Sequence, residues 1–354
     1  MDMRQDAMPS AAARMGLRFE GRGGEYFNIW ILNLALSVIT LGIFSAWAKV
    51  RSRRYFYGNM LLNGHGFDYH ASPPRILIGR AIVLAVLLGY GAMTEFLPDA
   101  TLLWLAGGAI LLPWMIASGL RFTARNTSHR NLRFDFTGRY GGALWAFLFW
   151  PFLAAIGIGV PLYPLGHRAR LEYQINNLRF GGRAFLTDIS AGRMFTIYLA
   201  AIPEYLMLAF LFNAGISVAA PHLRTALNLL PDLVIYYILF SLPFVAALVL
   251  VYPVVKTVAF NMAINETSME GGYRFDSTLT PWCIAWVAAG NLALTLATLG
   301  LFYPWAKVRM ARYVAGGLTV TGPADLSEAL ALPHAPGGAF GEEAAGFLDV
   351  DIGF

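Results

Sequence analysis

The chain has 354 residues, of which 57% are hydrophobic and only 13% are charged, and its net charge is +5. Because a soluble domain usually carries about 25% charged residues, this composition excludes an ordinary soluble domain and predicts an integral membrane protein. The positive excess is typical of the cytoplasmic face of a membrane protein, so nucleic acid is not an expected partner.

Seven apolar runs approach or exceed the length that crosses a bilayer. They lie at about residues 27–47, 76–94, 101–120, 141–163, 195–219, 229–255 and 279–303. Since a hydrocarbon core of ~30 Å takes about 20 helical residues, the sequence predicts a mainly α-helical, polytopic fold with at most seven spans. We expect this membrane domain to cover residues 17–322.

The two ends of the chain differ from this domain. Residues 1–16 contain small and charged residues but no apolar core, so we expect a disordered tail and no cleavable signal peptide. Residues 323–354 carry six acidic and no basic side chains, which predicts an acidic and mostly disordered tail.

Two stretches are nearly identical, "TLGIFSAWAKVRSRRY" at 40–55 and "TLGLFYPWAKVRMARY" at 298–313, and "GVPLYPLGHRARLEYQINN" at 159–177 is a weaker third copy. Each joins an apolar helix to a basic helix through a Gly or Pro break. The sequence therefore predicts three repeated helix-break-basic-helix units, re-entrant or spanning, separated by transmembrane hairpins at 76–121 and 195–255. The repeat either builds a site between its copies or only enlarges the bundle, and both interpretations stay open.

Short segments beside these units alternate aromatic or aliphatic residues with charged ones: "LRFEG" at 17, "LRFDF" at 132, "LRFGG" at 178 and "YRFDS" at 273. Such alternation is typical of β-strands. We expect the strands to be short and to gather as a small sheet on the cytoplasmic side.

The stretch "GEYFNIWILNLALSVITLGIFSAWAKVRSRRYFYGN", together with the later "TLGLFYPWAKVRMARY", resembles the YjgN-type family of bacterial inner-membrane proteins. The domain of that family is catalogued as being of unknown function. The resemblance covers about residues 17–322 and implies an inner-membrane location and a polytopic fold. It implies no activity and no functional residues.

The distribution of Lys and Arg bears on topology, because cytoplasmic segments are enriched in them. Seven spans would place 15 of the 26 basic residues on one side and 11 on the other, which hardly specifies an orientation. If the three repeated units are re-entrant and only the two hairpins span, the split becomes 25 to 1. We therefore favour four spans, with the basic segments and both termini cytoplasmic, over seven spans.

All three lysines of the chain, Lys49, Lys256 and Lys307, lie three residues beyond a predicted helix break or its equivalent position. His167 takes this place in the third copy. Lysine is a compact charge on a flexible stem, whereas arginine forks onto phosphate or carboxylate. The shared position indicates a shared role for these four side chains.

Two interpretations of that role stay open. The lysines either snorkel to the headgroup layer while Trp47 and Trp305 anchor the interface, or they form an anion site for lipid phosphate or an acidic solute. Arginine pairs three residues apart on one helical face are further candidates for the anion site. These are Arg51, Arg54, Arg309 and Arg312.

One acidic side chain, Glu204, lies inside an apolar run. An intramembrane carboxylate is costly and indicates either a paired counter-ion or a proton relay. Lys256, on the other arm of the same hairpin, is a candidate partner.

Other kinds of site are not predicted. Cys283 is the single cysteine of the sequence, and His65, Asp68 and His70 in "HGFDYH" match no strong metal-binding spacing. No nucleophile lies in a recognisable catalytic motif. We therefore expect no metal, no cofactor and no enzymatic activity.

The sequence thus predicts a transport or permeation protein for a small anionic solute or lipid, with the lysines at the anion and Glu204 coupling movement to protons. The alternative is a non-transporting membrane scaffold whose basic helices bind anionic headgroups or a soluble partner. A membrane-embedded enzyme is a third alternative, and no catalytic motif supports it. Anionic membrane lipids are the expected partners, and the sequence does not indicate an oligomeric state.

Overall fold

The computed structural model describes residues 13–157, 161–226 and 232–323, and the predicted tails lie outside them apart from residues 13–16 and 323. Ten strands alternate with helices along the chain. The strands are β1 (Ala13–Phe19), β2 (Met60–Leu62), β3 (His65–Tyr69), β4 (Thr127–His129), β5 (Leu132–Phe136), β6 (Leu178–Phe180), β7 (Arg183–Leu186), β8 (Ser268–Met269), β9 (Tyr273–Ser277) and β10 (Leu318–Gly322). Strand β1 begins at Ala13, inside the segment that the sequence predicts to be a disordered tail.

Helices form five consecutive pairs between these strands. They are α1 (Gly23–Ile39) with α2 (Ser45–Gly58), α3 (Pro73–Phe96) with α4 (Thr101–Arg125), α5 (Tyr140–Leu144) and α6 (Trp150–Ala155) with α7 (Tyr163–Asn176), α8 (Ala191–Ala226) with α9 (Asp232–Asn265), and α10 (Pro281–Ala297) with α11 (Tyr303–Gly316). A π-helical turn, Trp145–Phe149, joins α5 to α6.

The ten strands form one closed barrel in which every neighbouring pair is antiparallel. Each helix pair is inserted between two strands that hydrogen-bond to each other, and the intervening connections are tight turns. Because antiparallel neighbours alternate in direction, all five helix pairs leave from and return to the same rim of the barrel. The tight turns lie at the opposite rim.

The turn sequences explain why the strands reverse where they do. Asn63-Gly64, Arg130-Asn131 and Gly181-Gly182 are two-residue turns in which both residues have positive φ. This is the type I′ geometry that matches the twist of a hairpin. Gly271-Gly272 supplies two positive φ values in the three-residue turn between β8 and β9.

Closure joins the two ends of the described chain. Strand β1 pairs with β10 from Ala13 opposite Gly322 to Gly16 opposite Thr319. The sequence predicts a small sheet from a few extended segments, whereas the structure has a ten-stranded closed barrel among the described residues. The difference arises because strands as short as Ser268–Met269 and Thr127–His129 leave little trace in the pattern.

Apolar side chains fill the barrel. Met15, Phe180, Phe185, Tyr273 and Val320 belong to one buried cluster to which nine strands contribute. His129 of the remaining strand contacts the rings of Phe67 and Phe180 in this cluster. The barrel is therefore a packed core.

The helices form a closed ring above the barrel rim. Each helix contacts the helix before and after it in the chain, and α11 contacts α1 to complete the ring. Within the described residues no helix makes extensive contacts across the ring. Trp305 of α11 packs on Phe27 of α1, with ring centroids 4.9 Å apart, at the point of closure.

The pairs differ in length. Four helices are long and apolar enough to cross a membrane within the described residues: Pro73–Phe96, Pro98–Arg125, Ala191–Ala219 and Leu239–Asn265. These are the second and fourth pairs, which the sequence identifies as transmembrane hairpins. Apolar helices of the other three pairs, such as α1 and α10 with 17 residues each, are shorter. At about 1.5 Å per residue they extend about 25 Å, less than a ~30 Å hydrocarbon core.

The helix breaks of the first and fifth pairs share one geometry. Leu41-Gly42 and Leu299-Gly300 have positive φ values that agree within about 2°, namely 51° and 91° against 51° and 93°. Thr40 Oγ1 accepts a hydrogen bond from the Phe44 N–H at 2.9 Å, and Thr298 does the same for Phe302 at 3.0 Å. In the third pair the break includes Gly157, and residues 158–160 lie outside the described residues.

Candidate functional site

Four basic residues occupy one height above the barrel. Lys49, His167, Lys256 and Lys307 each lie nine residues before the last residue of α2, α7, α9 and α11, respectively. At 1.5 Å per residue this is about 14 Å from the helix end that meets the barrel. We call these four residues the basic ring. We call the second helix of each pair, which leads back to the barrel, its returning helix. The remaining returning helix, α4, has the buried Ile116 at this place.

A proline explains part of this equivalence. Pro164 and Pro304 lie in the first turn of α7 and α11, where a missing N–H costs nothing. Pro253 and Pro113 lie at the same distance before the ring height inside the long helices α9 and α4. The three shorter returning helices thus begin just before the ring height, and the longer two continue through it.

Lys49 shares a helix face with a core residue. Phe56 follows Lys49 by seven residues, which is about two turns of α2. The Phe56 ring lies 5.5 Å from Phe19 and 4.7 Å from Tyr26, in a cluster against which Phe67 of the barrel also packs. Lys49 therefore lies on the face of α2 that adjoins the barrel core.

Lys307 follows Tyr303 by one turn of α11. Its Nζ lies 5.1 Å from the centre of the Tyr303 ring, so the ammonium is placed over an aromatic face. By the alignment of the two copies Lys307 is the counterpart of Lys49.

Two arginines proposed for the anion site bind backbone carbonyls. Arg54 Nε donates to the Tyr69 carbonyl at 3.1 Å, and Arg312 Nη2 donates to the Gly21 carbonyl at 2.9 Å. Arg121, which the sequence analysis does not single out, binds the Phe136 carbonyl in the same way at 3.2 Å. All three lie four residues before the end of a returning helix, and that spacing is the signal that relates them. They fasten the helices to the barrel.

The other predicted arginines and tryptophans lie at the helix surface. Arg51 and Arg309 are exposed, and Arg309 Nη1 lies 3.5 Å from the side-chain oxygen of Asn291. Trp47 stacks on Phe44 with ring centroids 6.2 Å apart, and Trp305 is 38% exposed. This placement is compatible with the expected interface anchors.

His167 lies within a polar cluster where α7 meets α8. Its Nδ1 is 2.7 Å from the Tyr198 hydroxyl oxygen. Burial, together with the positive charges of Arg170 and Lys256, lowers the pKa of His167 to about 4. His167 is therefore neutral at pH 7 and acts in the basic ring as a hydrogen-bonding group rather than as a charge.

Glu204 is half-buried on α8. It lies 13 residues beyond Ala191, at a height of about 20 Å above the barrel end of the helix, against about 14 Å for Lys256. No hydrogen bond or ion pair joins Glu204 to the part of the chain that the structure describes. The proposed pairing with Lys256 is therefore not observed among these residues.

The histidines of "HGFDYH" lie at opposite ends of β3. His65 Nδ1 is 3.0 Å from the Asn63 carbonyl at the turn rim, whereas His70 Nε2 is 2.7 Å from the Ser128 hydroxyl beyond the other end of the strand. Among residues 13–157, 161–226 and 232–323, no three His, Cys, Asp or Glu side chains come together as metal ligands. Cys283 is exposed on α10.

Sequence comparison shows that this chain is similar to bacterial inner membrane proteins. "Inner membrane protein YjgN" of Salmonella typhimurium (strain LT2) is 26% identical over 359 residues, covering 88% of this chain and 90% of that protein. The proteins of the same name from Escherichia coli O157:H7 and K12 are each 34% identical over 149 residues, covering 41% of this chain and 37% of theirs. These names agree with the four apolar helices found here.

No solved structure matches the chain. The family model described as "Bacterial protein of unknown function (DUF898)" matches residues 14–347. Since this match covers most of the sequence, the chain belongs to that family.

Proposed function

We propose that this protein resides in the bacterial inner membrane and binds anionic lipids or small acidic solutes at the basic ring in order to move them. The observation that carries the proposal is the common height of Lys49, His167, Lys256 and Lys307 on four returning helices. Three lysines at one depth, with His167 as a hydrogen-bonding group at the same depth, are suited to phosphate or carboxylate groups. The proposed role is not enzymatic.

The packed barrel favours a lipid over a soluble anion. Side chains from all ten strands fill the interior, so the barrel axis offers no aqueous passage to the ring. A lipid headgroup arrives instead through the membrane, between helices. We therefore propose an anionic phospholipid as the first substrate class and a small acidic solute as the second.

The one-sided arrangement of the helix pairs supports a cytoplasmic barrel. If the second and fourth pairs span the membrane and the other three are re-entrant, 25 of 26 basic residues fall on the side of the barrel, together with both termini. Leu41 and Leu299, at the tips of the first and fifth pairs, are each 95% exposed. Such apolar tips are stable in hydrocarbon and costly in water.

Glu204 supplies the proposed coupling to protons. It lies within the apolar part of α8, farther from the barrel than the basic ring. A carboxyl group within a membrane segment is typical of proton relays, in which it binds and releases a proton. Exchange of that proton is proposed to accompany movement of the bound anion.

The test is reconstitution of the Lys49→Gln/Lys307→Gln double variant in vesicles. Wild-type protein is expected to move fluorescent phosphatidylglycerol between leaflets faster than phosphatidylcholine, and the double variant is expected to lose this preference. Vesicles loaded with inorganic phosphate form a second arm, which tests a soluble anion. Arg274→Gln, on the exposed outer face of β9, is the matched control because it removes a cation far from the ring.

A non-transporting scaffold is the second candidate, and the closed, packed barrel favours it. In that case wild-type protein moves neither lipid nor phosphate, and the double variant loses only association with vesicles that contain phosphatidylglycerol. If the double variant is folded and matches wild type in movement and in association, Lys49 and Lys307 do not belong to an anion site.

A further inference from the structure

We infer that the junction of α7, α8 and α9 is a headgroup site of the basic ring, where Arg170 and Lys256 hold the phosphate of an anionic glycerophospholipid, His167 donates a hydrogen bond to it, and Tyr198 fixes the orientation of His167. This inference rests on the proposed function and assigns its lipid to one sector of the ring.

The side chains of this sector contact one another in a continuous row. The Tyr198 hydroxyl is 2.7 Å from His167 Nδ1, and the Tyr198 ring lies 5.5 Å from the ring of Tyr163. The Arg170 guanidinium lies 5.2 Å above the Tyr163 ring, and its Nε donates to the Gly166 carbonyl at 3.2 Å. These contacts hold two phenol rings and a guanidinium in fixed positions next to His167.

Tyr198 lies at nearly the same height above the barrel as the basic ring. It follows Ala191 by seven residues, so it is about 11 Å from the barrel end of α8, compared with about 14 Å for His167 and Lys256. Lys256, on α9, is close enough to His167 for its charge to act on that side chain. The cluster thus takes side chains from three helices at a common level.

The charges that act on His167 favour an anion in this cluster. Arg170 from its own helix and Lys256 from α9 both lower its pKa, and both are positive. The acid nearest along α7, Glu172, accepts hydrogen bonds from Arg168 at 2.8 Å and from the Ile189 N–H at 3.1 Å. Two cations in a partly desolvated site are stabilised by a bound anion such as a lipid phosphate.

His167 suits this site because it is neutral. A neutral imidazole has one donor and one acceptor nitrogen. If the Tyr198 hydroxyl donates to Nδ1, the proton of the ring is on Nε2, and that N–H is available for a phosphate oxygen.

The experiment titrates full-length protein in neutral detergent with dioleoyl phosphatidylglycerol and counts bound lipids by native mass spectrometry. Lys256→Gln and Arg170→Gln are each expected to weaken the tightest phosphatidylglycerol binding by about tenfold. His167→Gln is expected to weaken it less, and Lys256→Arg is expected to restore it. Dioleoyl phosphatidylcholine and the Arg274→Gln variant are the controls.

Each outcome decides between two ideas. One outcome would overturn this site while the proposed function stands. In it, the folded Lys256→Gln and Arg170→Gln variants bind as wild type does, whereas Lys49→Gln/Lys307→Gln loses binding. If none of these variants changes the preference for phosphatidylglycerol over phosphatidylcholine, both ideas fail. If inorganic phosphate displaces the lipid at equal concentration, the site binds phosphate itself and the assignment to a lipid is wrong.

Discussion

The side-chain amide of Asn291 donates a hydrogen bond to the backbone carbonyl of Ala306, at 3.2 Å, and so joins α10 to α11. Asn33 makes the corresponding contact with Ala48 between α1 and α2, at 3.4 Å. Both asparagines are buried in otherwise apolar helices. They differ in their side-chain oxygens, because Arg309 lies 3.5 Å from that of Asn291, whereas that of Asn33 is buried and has no partner among the described residues.

This difference predicts unequal effects of replacing the two asparagines. Asn291→Leu loses both the hydrogen bond of its amide nitrogen and the contact of its amide oxygen with Arg309. It is expected to lower the free energy of unfolding by about 1–2 kcal/mol. Asn33→Leu loses one long hydrogen bond and also removes an unpartnered oxygen, so about 0.5 kcal/mol or less is expected. Denaturant titration in mixed micelles measures both. Asn213→Leu, at an exposed position of α8, is the control, and equal losses at 33 and 291 would contradict the argument.

Local patterns in the sequence predict much of this fold. The copies at 40–55 and 298–313 share their helix breaks, and "LRFDF" and "YRFDS" form β5 and β9 as expected. Closure of the barrel depends on pairing of β1 with β10, whose residues are about 300 positions apart in sequence, and no local pattern specifies such a partner.

The candidate site, like the fold, is only partly predictable from the sequence. The position of the lysines beyond a helix break follows from the sequence, and their common height follows once the helix ends are known. The binding of Arg54 and Arg312 to carbonyls at strand ends is not predictable, because it depends on how the helices meet the barrel. The contact of Tyr198 with His167 is also missed, since a tyrosine in an apolar helix resembles an ordinary core residue.

Close packing of the third pair depends on Gly166 of α7. A Cβ added there would lie 2.7 Å from Trp150 Cβ, and neither atom can move without its backbone. Gly166→Ala is therefore expected to destabilise the protein by about 1–3 kcal/mol. Gly108→Ala in α4 is the matched control, because a Cβ at that position meets nothing within 4 Å and alanine is the better helix former. Thermal unfolding in detergent compares the two, and a neutral Gly166→Ala would contradict the packing described here.

His129 makes the barrel sensitive to acid. It is fully buried, and burial followed by the nearby positive charges of Arg130 and His65 lowers its pKa, while the Gly66 carbonyl and Asp68 act in the opposite direction. Above the usual pKa of 6.5, the folded and unfolded states are both neutral at this residue. As the pH falls below 6.5, the unfolded state binds a proton that the folded state does not, so stability falls until the lower folded pKa is reached.

The variant His129→Asn tests this effect, because its amide can still donate to the Gly66 carbonyl but does not titrate. The decrease in unfolding temperature between pH 7 and pH 5 is expected to become smaller in the variant. It does not vanish, because burial also lowers the pKa of His70 and His167. An unchanged pH dependence would show that protonation of His129 does not limit acid stability.

The geometry of the barrel predicts how single cysteines will react from the two sides of the membrane. Arg133 on β5 and Arg274 on β9 are exposed on one barrel, so cysteines at both positions, in a Cys283→Ala background, are expected to react with an impermeant maleimide from the same side. Asp99, between α3 and α4, is expected to react only from the opposite side, since α3 and α4 are each long and apolar enough to cross the membrane once. By the positive-inside rule, the barrel side is expected to be the cytoplasmic side. Seven spans would instead put positions 133 and 274 on opposite sides, and that labelling would be incompatible with a closed barrel in the membrane-inserted protein.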